Sequence, residues 1–413
     1  MKKTTLKTIL FATASMLIFS VTSCKNDNNN DNDNDNENKK TITFENLVPL
    51  KDFVESGEIL GVTNSNGNLT INPGESQSIT FSAGKAQSLM FVTMYKASKD
   101  WFFSSAQPGI KLFDTDGKAI TGDVSSQVQL WDNGTKENTS GQIESKPIRL
   151  VPNIDASQLM KLYLTYDDIS SEFTLKITNT SGGTLHETPF SSGVWAISNF
   201  NGVKLANETP FFKPNFLSNP ELTDIAEMGN ITKMKTKLAA NTGLVPDLSE
   251  GLIVVYTGDK NPIFELGKLD AGIGLKELSQ MGVAAKLQNS LKALSYVKGV
   301  YKIGNILIAP GEKASTSFEA GAGDKLAYVT MFGISNDWFY SNNKVISGNT
   351  KGDLTSSTTL YDSGTGIDQY PGAGNNQVVF GGTPLPESKI ISEVVGNKYP
   401  IPPLKNIIKV TVN

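Results

Sequence analysis

Cysteine and histidine are almost missing from this chain: its 413 residues hold one of each, Cys24 and His186. A single cysteine excludes an intramolecular disulfide and a thiolate metal cluster. A single histidine argues against His-rich zinc sites, and any Ser-His-Asp triad would depend on that one imidazole. Its setting, Gly182-Gly-Thr-Leu-His186-Glu, reads as a solvated linker. Surplus basic charge is missing too. Lysine and arginine total 37 against 41 acidic residues, giving a net charge of −4 and a pI near 5.3. Nucleic acid, which calls for a basic stripe, is therefore not an expected partner. No convincing amphipathic helix precedes residue 185, and the apolar run Ile9–Phe19 is too short to span a bilayer.

What is present begins with an address. Lys2, Lys3 and Lys7 form a positive region ahead of Ile9–Phe19, as in a secretory signal. The boundary Val21-Thr-Ser-Cys24 resembles the bacterial lipobox. That resemblance implies a lipoprotein signal peptide over residues 1–23 and diacylation of Cys24 by palmitate-type chains. Each buried methylene of such an anchor contributes about 0.8 kcal/mol to membrane binding. Residues 24–40 are rich in Asn and Asp, have almost nothing to bury, and read as a flexible tether. Their acidic residues are similar to the surface-export signal of Bacteroidetes lipoproteins, although a plain spacer fits equally well. The expected location is the cell envelope, lipid-anchored in the outer membrane and facing the surface.

The rest of the chain is duplicated. Met94-Tyr-Lys-Ala-Ser-Lys-Asp-Trp-Phe-Phe-Ser104 returns as Met331-Phe-Gly-Ile-Ser-Asn-Asp-Trp-Phe-Tyr-Ser341. Pro73-Gly-Glu, Phe81 and Val92-Thr-Met align without a gap with Pro310-Gly-Glu, Phe318 and Val329-Thr-Met. Short alternating segments separated by Asn-Gly, Pro-Gly and Asp-Gly turns predict antiparallel strands, as in Phe173, Leu175 and Ile177 against Thr174, Lys176 and Thr178. The expected fold class is mainly β: two antiparallel β-sandwich domains, with short α-helices inserted in the middle of the chain.

The first sandwich is expected over 41–184 and the second domain over 185–413. The latter divides into a strand-and-helix segment, 185–300, and a sandwich, 301–413. Within 185–300 a smaller repeat appears. Asn219 caps a helix that has Pro220 at its first position. Leu222, Ile225, Met234 and Leu238 correspond to Leu275, Leu278, Leu287 and Leu291, and Gly229 and Gly282 break each helix. The final strand, Asn406–Asn413, is read as the counterpart of Phe173–Ile177.

Several of these motifs together resemble the spondin N-terminal domain family. They are Pro-Gly-Glu before a strand, Ser-Asn-Asp-Trp-Phe-Tyr after one, Gly-Asp-x-x-Ser, Tyr-Asp-Ser-Gly-Thr, and Tyr-Pro-Gly-Ala-Gly. The helix Leu222-Thr-Asp-Ile-Ala-Glu-Met-Gly229 is similar to that family as well. The resemblance implies two tandem sandwiches like those of calcium-dependent lipid-targeting modules, with a calcium ion at one edge and a role in adhesion.

Calcium takes about six to eight oxygens from carboxylates and carbonyls of adjacent loops. By the resemblance the candidate ligands are Asp100 with Asp132 and Asp337 with Asp362. The third acid of the family pattern is displaced, to Glu137 in the first copy and Asp368 in the second. Lys136 puts a positive charge beside the first site, so the second is the better candidate. The plain alternative is that these aspartates cap hairpin turns while Trp101 and Trp338 anchor the sandwich ends. No catalytic residue is assigned. The expected function is non-enzymatic binding of a glycan or protein ligand. A polysaccharide hydrolase using Asp167-Asp168 or Asp114 and Asp116 is the competing reading, and a structural lipoprotein partnering an outer-membrane protein is the third.

Overall fold

The structure is a computed structural model that describes residues 38–63, 69–305, 307–395 and 398–413. The signal segment, Cys24 and the tether as far as Glu37 lie outside the described residues. Strands dominate. From the N-terminus come β1 (Lys39–Asn46), β2 (Phe53–Ile59), β3 (Val62–Thr63), β4 (Leu69–Ile71), β5 (Ser76–Ser82), β6 (Ser88–Tyr95), β7 (Trp101–Ser105) and β8 (Ile110–Lys111). Next are β9 (Gly122–Asp123), β10 (Val128–Asp132), β11 (Arg149–Leu150), the single-turn helix α1 (Ala156–Leu159), β12 (Met160–Asp167), β13 (Glu172–Asn179) and β14 (Phe190–Ser198). The middle holds α2 (Pro220–Met228), α3 (Thr232–Asn241), β15 (Gly251–Tyr256), α4 (Leu275–Met281) and α5 (Ala285–Lys292). The last part holds β16 (Val297–Ile303), β17 (Lys313–Glu319), β18 (Lys325–Met331), β19 (Trp338–Asn342), β20 (Ile346–Ser347), β21 (Gly352–Asp353), β22 (Thr358–Asp362), β23 (Ser392–Glu393) and β24 (Ile408–Val412).

These strands make two antiparallel β-sandwiches. In the first, a sheet ordered β11-β10-β7-β6-β14-β4-β3, with β2 also along β14, lies over a sheet ordered β5-β13-β12-β9. Phe81 of β5 meets Trp195 of β14 and stacks on Phe173 of β13, filling the space between the sheets. In the second, β16-β15-β18-β19-β22-β23 lies over β17-β1-β24-β21, and Phe44 of β1 meets the ring of Tyr328 of β18 edge-on.

Comparison of the two small sheets shows how the chain is threaded. β5 corresponds to β17, β9 to β21 and β12 to β24, which leaves the place of β13 in the second sandwich to β1. The last strand is thus the counterpart of Met160–Asp167, not of Phe173–Ile177. The true counterpart of Phe173–Ile177 comes from the other end of the chain. β1 pairs along its length with β17, from Lys39↔Glu319 to Glu45↔Lys313, and on its other side with β24. Alternation decides which face is buried: Ile42, Phe44 and Asn46 point inward while Thr41 and Thr43 remain outside against Ser317 and Ser315. The strand starts at Lys39, within the stretch expected to be tether, and buried Lys40 donates to the Ala320 carbonyl at 2.7 Å.

The pairing also crosses the division drawn at residue 185. β14 lies at the centre of the first sandwich, between β6 and β2. Leu222, Ile225, Met234 and Leu238 of α2 and α3 pack with Met90, Val92, Phe102 and Val194 on that sheet's outer face. Leu275, Leu278, Leu287 and Leu291 of α4 and α5 do the same with Leu252, Val254, Ala327 and Val329 of the second. The segment 185–300 therefore serves both sandwiches, one strand and one helix pair each. Asn219 Oδ1 accepts from the Leu222 amide at 2.8 Å, capping α2. Gly229 and Gly282 end α2 and α4 at φ of 67° and 72°, left-handed backbone that glycine adopts without strain.

Because β1 is central in its sheet, its core residues should matter to the far end of the sequence. Phe44→Ala should cost about 3–5 kcal/mol. Hydrogen exchange should place the loss of protection in β17 and β24, and not in their equivalents β5 and β12. Loss confined to residues near Phe44 in sequence would contradict the threading.

Candidate functional site

The Asp-Trp-Phe repeat begins with a shared turn. After β6, Ser98 Oγ donates to the Tyr95 carbonyl and accepts from the Trp101 amide, both at 2.8 Å. After β18, Ser335 Oγ does the same with the Phe332 carbonyl at 2.8 Å and the Trp338 amide at 3.0 Å. The turn aims each following aspartate at the neighbouring hairpin. Asp100 Oδ2 accepts from the Thr135 and Lys136 amides, both at 2.8 Å. Asp337 Oδ2 accepts from the Thr365 amide at 2.6 Å, the Gly366 amide at 2.9 Å and the Ser363 hydroxyl at 2.8 Å. The hairpins are built alike: Asp132 Oδ1 and Asp362 Oδ1 each accept from the amide of the glycine two residues on, Gly134 and Gly364. Gly364 has φ of 67°, and a Cβ there would sit 2.2 Å from the Lys389 carbonyl oxygen, so the turn requires glycine. The helices support these hairpins from behind. Ser279 Oγ of α4 donates to Ser363 Oγ at 3.1 Å, and Gln280 Nε2 donates to the Thr365 carbonyl at 3.0 Å.

Capping uses one oxygen of each aspartate and leaves the other. Asp100 and Asp337 are both fully buried, and Oδ1 of each has no donor among the described residues. An orphaned carboxylate oxygen at full burial is costly unless something positive faces it. Here the copies part company.

In the first copy a positive group is built in beside Asp132, while Asp100 keeps its unmatched oxygen and its carboxyl is raised chiefly by burial, with the charge of Asp132 adding to it. Asp132 stands opposite Arg149 across the β10–β11 ladder, and its Oδ2 accepts from Arg149 Nε at 3.1 Å and a terminal guanidinium nitrogen at 2.9 Å. Arg149 is the only arginine in the chain. Lys136 does not serve as the intruding charge: its Nζ pairs with Glu227 of α2 at 2.6 Å. Glu137 is engaged in its own loop with Ser140 and Thr139, so it brings no third carboxylate to Asp100. Trp101 Nε1 is buried without an acceptor among the described residues.

In the second copy the position facing Asp362 is Ser392, which carries no charge. A third acid is present instead. Asp368 Oδ1 accepts from Trp338 Nε1 at 2.7 Å, so the displaced residue does reach the site. Burial, together with the charges of Asp362 and Asp337, pushes the Asp368 carboxyl up to about 7. Burial and the charge of Asp362 raise Asp337, and burial also raises Asp362. Trp338 lies 2% exposed against Phe332 and Tyr399, and a hollow of about 180 Å³ lined by Trp338, Asp362, Asp368, Lys398 and Tyr399 opens beside it.

The donor set has the chemistry of a hard-cation site, all oxygen with one buried acceptor unspent. Among the described residues, however, no three His, Cys, Asp or Glu side chains converge as a ready-made metal cage. The carboxylate pairs nominated for hydrolysis hold their own turns: Asp167 Oδ1 accepts from the Ile169 and Ser170 amides, and Asp114 Oδ1 from those of Asp116 and Lys118. Sequence reasoning missed Arg149, whose one signal was its being the sole arginine. No family model matches this chain, and a search of curated proteins finds no match.

Acids whose folded values are raised keep protons that the unfolded chain has already released, so their contribution to stability falls as pH climbs from about 4 to 7. With chelator present, the melting temperature should be lower at pH 8 than at pH 5. Glu55, raised to about 7, and Asp247, raised to about 6, contribute in the same direction. Asp368→Asn should flatten the dependence relative to wild type. An unchanged slope in that variant would mean that Asp368 is ionised at neutral pH without a penalty.

Proposed function

We propose that the chain is an envelope-anchored, non-enzymatic binding or adhesion lipoprotein of spondin-like type. Acyl chains on Cys24 hold it in the outer membrane, and the Asn/Asp tether presents the two sandwiches to a glycan or protein ligand. The observation that carries this reading is the acid cluster Asp337, Asp362 and Asp368 at one end of the second sandwich, with a buried oxygen unspent. Calcium is the proposed occupant, taken by the loops that carry Asp337 and Asp362, with Asp368 completing its donors once those loops close on the ion. It would neutralise their charge and fix the loops that meet the ligand. In the first sandwich Asp132 is held by Arg149 and no third acid reaches Asp100, so no ion is proposed there. Among the described residues no helix is long and apolar enough to cross a membrane.

One observation favours the hydrolase reading. A carboxyl lifted to about 7 beside a small hollow is also what a general acid looks like.

Millimolar calcium should raise the melting temperature over that in EDTA. Asp337→Ala/Asp362→Ala should abolish the difference, whereas Arg149→Ala should leave it in place. Identical melting with and without chelator would remove calcium from the account. Retention on a glycan array or matrix-protein panel in calcium, lost in EDTA, is the expected functional result. Chelator-resistant turnover of a polysaccharide panel would replace it with the hydrolase.

A further inference from the structure

Between the two sandwiches lies a cleft of about 460 Å³, within the size range of small-molecule sites. The first sandwich contributes Asp52 and Phe200; the second contributes Val245, Asp247, Ile334 and Val379. Its position follows from the fold. The loop carrying Tyr370-Pro-Gly-Ala-Gly374 belongs to the second sandwich but docks on the first. Gln87 Nε2 donates to the carbonyls of Ser198 and Gly372 at 2.9 and 3.0 Å, and Phe200 stacks on Phe380 at 5.5 Å. The seam is therefore closed by direct contacts on one side and left open on the other.

We propose that this cleft binds a small organic ammonium ion, a primary amine carried on a hydrocarbon frame. Its walls are largely apolar, and the charged residues in its lining are Asp52, Asp247 and Lys51. Asp247 forms no side-chain hydrogen bond or ion pair among the described residues, although it is only partly exposed. Asp52 accepts one hydrogen bond, from Asn207 Nδ2 at 3.2 Å. Glu312, close enough to act on Asp247, is bonded to the Ala309 amide. Lys51 spends its ammonium on the Ala240 carbonyl at 2.7 Å and is not among the groups that act on Asp247. An unpaired, half-buried carboxylate at the end of an apolar cleft attracts a cation with an apolar body and repels an anion. Burial and Glu312 raise the Asp247 carboxyl to about 6, as expected of a carboxylate lacking a counter-ion. The site shares no carboxylate with the Asp337 cluster and does not depend on calcium.

The test is a calorimetric titration of the purified full chain in EDTA with n-hexylammonium, against hexan-1-ol and hexanoate as neutral and anionic probes. Hexylammonium should saturate at one site, with both other probes weaker by at least about tenfold. Asp247→Asn should lose at least about tenfold in affinity for hexylammonium, and Glu319→Gln, on the exposed face of β17, none. Should Asp247→Asn fail to fold, Ala206→Trp on the exposed rim decides by filling the cleft, and it should block binding. Absence of saturable hexylammonium binding, equal binding of the three probes, or unchanged binding in either cleft variant overturns the proposal.

Discussion

The ladder that β1 forms between β17 and β24 is the constraint on which the rest of the molecule depends. Its hydrogen bonds join residues some 270 positions apart, as with Thr43 and Ser315 at a separation of 272. They also bring the ends of the folded body together, since Thr41 and Asn413 exchange both main-chain hydrogen bonds at 3.0 Å. Joined there and reopened before β15, the chain would read as two contiguous sandwiches. Without β1, the strands β17 and β24 would each present an unpaired edge to solvent, and the core of the second sandwich would lack Ile42 and Phe44. Long-range pairing of this kind forms late, because loop closure has to precede it.

On this doubled scaffold the two copies solve one electrostatic problem differently. Both use the aspartate of Asp-Trp-Phe to cap a neighbouring hairpin, and both leave its second oxygen buried without a donor. In the first, a guanidinium from the adjacent strand holds the neighbouring Asp132. The second has Ser392 in the place of that arginine and adds Asp368, with Lys389 and Lys398 near enough to offset part of the negative charge. The copies differ in Arg149 against Ser392 and in the acid Asp368, which reaches the ring nitrogen of Trp338 while Glu137 stays in its own loop; on the function proposed above, only the second takes a cation.

Much of this could be read in the residues. Alternation gave the strands and faces of β1, β13 and β24; Asn219-Pro220 and the two helix-ending glycines marked α2 and α4 because capping and left-handed backbone each favour one residue type. The neighbour of a strand was not legible. Ile408, Val410 and Val412 alternate just as Leu162, Leu164 and Phe173, Leu175 do, and a period of two specifies a face without naming a partner. For the same reason the N-terminal strand was assigned to the nearer sandwich. At the site the aspartates and the tryptophans stood out through repetition, whereas Arg149 did not, because it has no repeat partner and enters from a separate loop. Lys136 adjoins the site in sequence, yet its long side chain reaches outward to Glu227.

The central claim is that one end of the second sandwich takes a divalent cation and the matching end of the first does not. Calorimetric titration of the full chain with calcium near pH 6.5, repeated in buffers of different ionisation enthalpy, tests it most directly. One calcium per chain should bind with release of protons from the raised carboxyls, so that the measured heat changes with the buffer. Two equivalents, no binding, or binding whose heat is the same in every buffer would contradict it.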